Sequence, residues 1–196
     1  MSLGGMKMRS FRDDVERAVA FHGHLCSGQC LGVRMAHMGL RLLGLDNERD
    51  RKKLLVFLEC NRCPADAIMI ATGCTVGKRT YYCMDMGKTA ATFVHLETGR
   101  AVRVVRTAHR HPAEGEDLLE YYETLPEEGW LEAREVVVEL KRGDLPGPPA
   151  EVVTCARCGE EVTDGRHVEV AGAALCRGCA GKNYYRDVDQ AREYPK

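Results

Sequence analysis

KLLVFLECNRCPADAIMIATGCTVGKRTYYCMDMGKTAATFVHLETGRAVRVVRT, residues 53–107, governs how the rest of the chain is read. Its first eight residues form a strongly apolar run and predict a strand. Pro64 stands where a first helical turn tolerates a missing N–H, and Gly73 closes the run that follows. PADAIMIATG therefore predicts a helix. TYYCMDMG, TAATFVHLE and AVRVVRT are rich in aromatic and β-branched residues and predict three strands, the last two turning at Thr98-Gly99. Before this segment, SFRDDVERAVA (10–20) predicts a helix capped by Ser10, with Asp13 and Asp14 in its first turn. Leu31, Met35, Met38 and Leu42 recur at helical spacing in a second helix that Gly44 stops. After it, helices are expected near 113–124 and 127–142. Helices first, strands in the middle and helices last give an α+β core rather than a doubly wound parallel sheet.

The pairs Gly77-Lys78 and Gly87-Lys88 in this segment invite a phosphate-loop reading. A Walker-type loop needs four residues between its first glycine and the Gly-Lys pair, then Ser or Thr directly after the lysine. Gly73 and Gly77 enclose only three, and Arg79 follows Lys78. The glycines are turn residues, and no nucleotide loop is expected.

A chain that is 44% hydrophobic and 29% charged has ordinary globular composition, and its net charge of -1 gives no electrostatic reason to expect nucleic acid or an anionic membrane as the main partner. No apolar run approaches the roughly 20 residues a bilayer span needs. MSLGGMKMRS has no apolar signal core, so a cytoplasmic location is expected, with MSLGG read as an addition before a native start at Met6.

Ten cysteines in such a chain point to metal or catalysis rather than disulfides. Four of them lie in CARC (155–158) and CRGC (176–179), seventeen residues apart. Each pair brings two thiolates within reach of one ion, so Cys155, Cys158, Cys176 and Cys179 are read as a closed, structural zinc site. A hairpin turning at Asp164-Gly165, then ligands at a helix start, make the treble-clef arrangement. GDLPGPPAE (143–151) holds three prolines and two glycines and reads as an extended spacer. The expected division is a core over 6–143, a linker over 144–151 and the finger with its tail over 152–196. Residues 152–186 balance five Arg or Lys against four Asp or Glu, too even for a phosphate-binding face. His167 is read as a surface residue of the hairpin.

In the core, FHGHLCSG (21–28) concentrates two imidazoles and a thiol just before a helix, where the positive helix end favours a Cys26 thiolate. FHGHLCSG with LGVR, then CPADAIMIATGCTVGK, then DMGKTAATF, resembles the FmdE family of formylmethanofuran dehydrogenase proteins, in order and spacing over roughly residues 15–110. A treble-clef finger behind an α+β core is also similar to some members. The resemblance implies a homodimeric α+β protein, accessory to or a subunit of a molybdenum- or tungsten-dependent formylmethanofuran dehydrogenase system, which carries out the carbon-dioxide-fixing first step of methanogenesis. Many members occur in organisms that make no methane. Members usually carry proline after the motif cysteine, where this chain has Ser27.

The working hypothesis is a second metal site in the core lined by His24, Cys26, Cys63 and Cys74, with His22 as an alternate ligand or in support. Thiolate with imidazole favours zinc or another transition metal over calcium or magnesium, and separate segments can leave a coordination position open. Against it, Cys63 and Cys74 could simply be small buried hydrophobes. Cys60 and Cys63 form a C-x-x-C without the tryptophan-rich βαβ context of a redox motif, and Cys30 and Cys83 read as packing. Asp66 could orient a ligating histidine or favour the helix dipole. Lys78 and Lys88 could meet an anion at a cleft rim, although a solvated strand end is the plainer role. H-R-H-P (109–112) reads as a basic turn. Three functions remain open on these residues: the accessory metal-binding protein, a stand-alone metalloenzyme on a small substrate, and an adaptor that holds a partner through its finger.

Overall fold

Among the described residues, four α-helices and a five-stranded sheet build the larger of two compact units, Met1–Glu139 and Leu140–Lys196. The computed structural model describes residues 8–46, 50–186 and 188, so the start expected at Met6 lies outside the described residues. Helix α1 (Phe11–His22) begins with the expected cap, the Ser10 hydroxyl accepting from the Asp13 amide while the Asp13 carboxylate accepts from the Ser10 amide. Gly23, at φ 96°, ends it. Helix α2 (Ser27–Leu43) buries Leu31, Val33, Met35, Met38 and Leu40 and stops at Gly44 in the left-handed region.

Strand β1 (Leu54–Leu58), helix α3 (Pro64–Thr72) and strand β2 (Tyr81–Cys83) form one parallel crossover. Strands β3 (Ala90–His95) and β4 (Ala101–Arg106) form the expected hairpin, and the sheet order is β2-β1-β3-β4-β5. Val56 sits opposite Phe93, and Phe93 opposite Val102, so one row of side chains crosses the sheet centre. A Cβ on Gly39 would collide with the Phe93 ring, so α2 lies directly on that row. Helix α4 (Leu118–Thr124) follows, capped by Asp117. Among the described residues no helix is long and apolar enough to cross a membrane.

The helix expected over 127–142 is instead strand β5 (Leu131–Val136), paired antiparallel with β4. Its Glu, Ala and Arg residues favour helix in isolation. Pairing with the open edge of β4, and burial of Trp130 and Leu131 at its start, override that preference.

The smaller unit holds two hairpins, β6 (Val152–Thr154) with β7 (Glu161–Thr163) and β8 (Val168–Val170) with β9 (Ala173–Leu175). The β8–β9 turn is Ala171-Gly172, both at positive φ, so Asp164-Gly165 joins the two hairpins rather than forming one. Residues 143–151 are not a bare spacer. The Arg166 guanidinium bonds Asp144 at 2.7 Å, the Ala150 amide bonds Asp164 at 3.1 Å, and a Cβ on Gly143 would overlap the Asp164 carbonyl.

Candidate metal centres

The four C-terminal thiols lie within 4.8 Å of one another, and Cys158 Sγ is 3.9 Å from Cys176 Sγ. Zinc–sulfur bonds of about 2.3 Å set a tetrahedral edge of about 3.8 Å, so this spacing suits one ion. Each pair closes a tight turn. The Cys176 amide donates to Cys155 Sγ at 3.2 Å and the Cys179 amide to Cys176 Sγ at 3.3 Å. Backbone N–H groups of Cys158 and Cys176 hold the Cys155 thiol down at about 6, which favours the thiolate form that a metal requires. A side-chain hydrogen bond with Cys176, and then burial, push the Cys179 thiol up to about 12. Among the described residues no helix carries the second pair. Arg177–Gly181 turn back on themselves, with the Ala180 amide on the Cys176 carbonyl and Gly181 at φ 87°, so the second pair sits in a tight turn like the first. His167 is half-buried between Glu151 and Glu169 and takes no part.

The core centre forms where three helix ends meet. His22 is the last residue of α1, Cys26 is the N-cap of α2 and Cys63 the N-cap of α3, and neither cap thiol hydrogen-bonds its own helix. Their ligand atoms lie within 4.8 Å of one another. Both sulfurs therefore sit at positive helix ends, which favour negative charge. Burial, and then the adjacent Cys26, raise the Cys63 thiol. The imidazole is fixed from behind, with His22 Nδ1 2.7 Å from Asp66 Oδ2. Its Nε2 is buried and has no hydrogen-bond partner among the described residues.

Glycines allow this convergence. A Cβ on Gly28 would lie 2.6 Å from Cys63 Cβ, and one on Gly32 2.6 Å from Ala67 Cβ and 2.8 Å from the Pro64 carbonyl. One turn apart, Gly28 and Gly32 let α3 press against α2 and bring Cys63 beside Cys26. Buried Gln29 fixes the same join by donating to the Cys63 carbonyl at 2.8 Å.

Of the expected core ligands, Cys26 and Cys63 are brought together and His22 completes them. His24 is exposed and only rests its ring on that of His22, with centroids 4.7 Å apart. Cys74 is fully buried elsewhere, its thiol pointing to the Leu54 carbonyl at 3.6 Å and pushed up to about 11 by burial. The reason is geometric: Cys63 and Cys74 flank the nine-residue α3, whose rise of about 1.5 Å per residue holds them at opposite ends. Cys60 and Cys30 are buried as packing residues, whereas Cys83, expected in the core, is exposed at the end of β2. Asp66 does orient a histidine, the role its spacing left open.

Beside Cys26 and Cys63 opens a cavity of about 510 Å³. Lys78 and Lys88 are not on its wall. Its charges come from Arg62, Arg106 and Arg110, none of which the sequence singled out as a ligand-facing group. The density of basic residues over 103–112 was the available signal.

Residues 21–140 match the family described as "FmdE, Molybdenum formylmethanofuran dehydrogenase operon", and residues 149–185 match "Prokaryotic dksA/traR C4-type zinc finger". The four C-terminal cysteines thus form a zinc-binding module. A "Probable S-adenosyl-L-methionine-binding protein" of Archaeoglobus fulgidus is 30% identical over 201 residues, covering 86% of this chain and 52% of that protein. The chain therefore spans about half the length of this curated relative. A solved structure, that of a tungsten formylmethanofuran dehydrogenase FmdE-like protein from Syntrophus aciditrophicus, aligns with TM-score 0.56 at 24% identity, over 95% of this chain and 100% of that one. At that identity the likeness establishes a shared fold.

Proposed function

The chain belongs to the FmdE family, and we propose from that premise that it is a metal-dependent accessory protein of a molybdenum or tungsten formylmethanofuran dehydrogenase system. Its working centre is a transition-metal ion held by His22 Nε2, Cys26 Sγ and Cys63 Sγ. One observation carries the core centre: the buried, unpartnered Nε2 of an imidazole whose other nitrogen is fixed on a carboxylate, set beside two thiols. A carboxylate behind a ligating histidine sets its tautomer and strengthens it as a donor. The donor set is that of zinc or a similar borderline ion. When bound, such an ion supplies a Lewis-acidic position, because three protein ligands leave a tetrahedral sphere unfilled. The chain's own residues provide the rest: Asp66 orients His22, two helix ends favour the thiolates, and the cavity opens on the same two sulfurs.

Metal analysis of the full-length protein tests this reading. Two ions per chain are expected after zinc supplementation, and one for the Cys26→Ser/Cys63→Ser variant. A single ion in the unmodified chain refutes the core centre. The accessory role predicts co-purification with a molybdenum or tungsten enzyme from native lysate, and recovery of the chain alone counts against it. The homodimer predicts sedimentation at twice 21.8 kDa.

A second reading, a stand-alone metalloenzyme, draws support from the size of the adjoining cavity, which falls in the range of small-molecule sites. It predicts turnover by the isolated protein, abolished by the same cysteine pair of substitutions.

A further inference from the structure

Apart from the two sulfurs of the core centre, the charged side chains lining the adjoining cavity are of one sign. Arg62, Arg106 and Arg110 line it, His111 adds an imidazole, and among the described residues no Asp or Glu reaches its wall. Asp66, the carboxylate of the centre, stands behind His22 and is not part of the lining. Among the described residues none of the three guanidinium groups pairs with a carboxylate. Arg106 is half-buried at the end of β4, and among the described residues its guanidinium meets only the ring nitrogen of His109, at 3.1 Å, which leaves its charge without a carboxylate. Arg110 is anchored through its backbone, its carbonyl accepting from the buried Tyr122 hydroxyl. Arg62 and Arg110 are exposed at the rim, whereas half-buried arginines elsewhere in this unit are matched on carboxylates, as Arg103 is on Glu59 and Arg9 on Asp14, and half-buried Arg106 is not. Unmatched cations gathered around one concavity raise the local concentration of anions and bind oxyanions through paired N–H donors.

We infer that the cavity is the subsite for a small oxyanion, a carboxylate- or phosphate-bearing molecule, held by Arg106 and Arg110 with its other end towards Cys26 and Cys63. The inference rests on the proposed core centre for the direction in which the ligand points, and on the arginines alone for its charge. About 510 Å³ suits a small organic acid or phosphate ester. Leu31, Pro64 and Trp130 supply an apolar wall for a short carbon skeleton.

Calorimetric titration of the zinc-loaded, desalted full-length protein tests this, with succinate, inorganic phosphate and the neutral isostere succinamide as separate probes. At least one anion is expected to bind, succinamide about tenfold or more weaker, and the Arg106→Gln/Arg110→Gln variant to lose about tenfold or more for the anion. Succinate against phosphate separates a carboxylate from a phosphate ligand. Arg62→Gln serves as a second variant should the double substitution disturb folding, which its circular dichroism melt reveals. Failure of both anions to bind, equal binding of succinamide, or undiminished binding by the folded double variant overturns the inference. Metal stoichiometry on the same samples keeps the two readings apart. Two ions with no anion binding leave the metal centre standing alone, whereas one ion with arginine-dependent binding removes the centre and upholds the oxyanion subsite.

Discussion

Gly28→Ala probes the geometry of the core centre with a single methyl group. The new Cβ would lie 2.6 Å from Cys63 Cβ, 3.4 Å from Pro64 Cδ and 3.6 Å from Cys26 Sγ. Carbon atoms in contact stand about 3.5–4.0 Å apart, so the first of these falls short by about 1 Å. Cys63 Cβ is fixed to the backbone at the start of α3 and cannot swing aside as a long side chain would. The helix itself must retreat. Metal–ligand distances tolerate only about 0.2 Å, several times less than that retreat. The expected result is loss of the core ion with retention of the finger ion, two ions per chain becoming one. Overpacking costs about 1–3 kcal/mol, while alanine gains up to about 1 kcal/mol over glycine in a helix. The upper overpacking cost less the full gain leaves a net destabilisation of about 2 kcal/mol, a fall in Tm of a few degrees. Gly77→Ala, where no atom lies within 4 Å of the added carbon, is the matched control and keeps both ions. A Gly28→Ala protein with two ions and an unshifted melt would refute the convergence argument.

Asp66→Asn removes the charge behind His22 and should weaken core metal binding about 10–100-fold in competition with a chromophoric chelator; unchanged affinity contradicts the orienting role. Cys74→Ala should keep both ions and lower stability by about 1 kcal/mol, whereas loss of an ion would return Cys74 to the ligand set. Glu59 accepts from Arg103 at 2.6 and 2.8 Å, and these bonds hold its carboxyl below the usual range. A depressed carboxyl contributes stability above its unfolded pKa of about 4.3 and loses it as pH falls through the lower native value. Glu59→Gln should therefore lower Tm at pH 7, with the gap to the parent closing towards pH 3; a pH-independent gap would rule the ion pair out as its cause.

Local signals carried much of the fold. The Ser10 cap, the Gly44 and Gly73 stops and the Thr98-Gly99 turn each mark an element boundary within a few residues, because capping and turn chemistry are short-range. Pairing of β1 with β2 across α3, and of β5 with β4, depends on partners far along the chain. For β5 the failure is instructive: four of its six residues are exposed, so neither strand alternation nor burial marks it. The finger ligands were legible because two short spacings constrain four sulfurs almost completely. In the core, Cys26 and Cys63 could be named from type and position, but choosing His22 over His24 required knowing that Gly23 ends α1 between them. Discarding Cys74 required measuring along α3.

The two centres differ in how completely the protein satisfies them. In the finger, amides already bond to Cys155 and Cys176, and four sulfurs fill a sphere, so an ion there fixes the fold. In the core, no group among the described residues reaches the buried Nε2 of His22. A buried polar atom without a partner is unfavourable by about 1–3 kcal/mol, and packing alone gives no reason to keep it beside two thiols. A hydrophobic residue at position 22 would fill the same space without that penalty, and Asp66 would then have no imidazole to hold. The penalty makes sense if something outside the chain offsets it on binding. On the proposed reading, a cation accepted by nitrogen and two sulfurs would do so, and the arginine-lined cavity beside it would give a second, anionic component somewhere to sit.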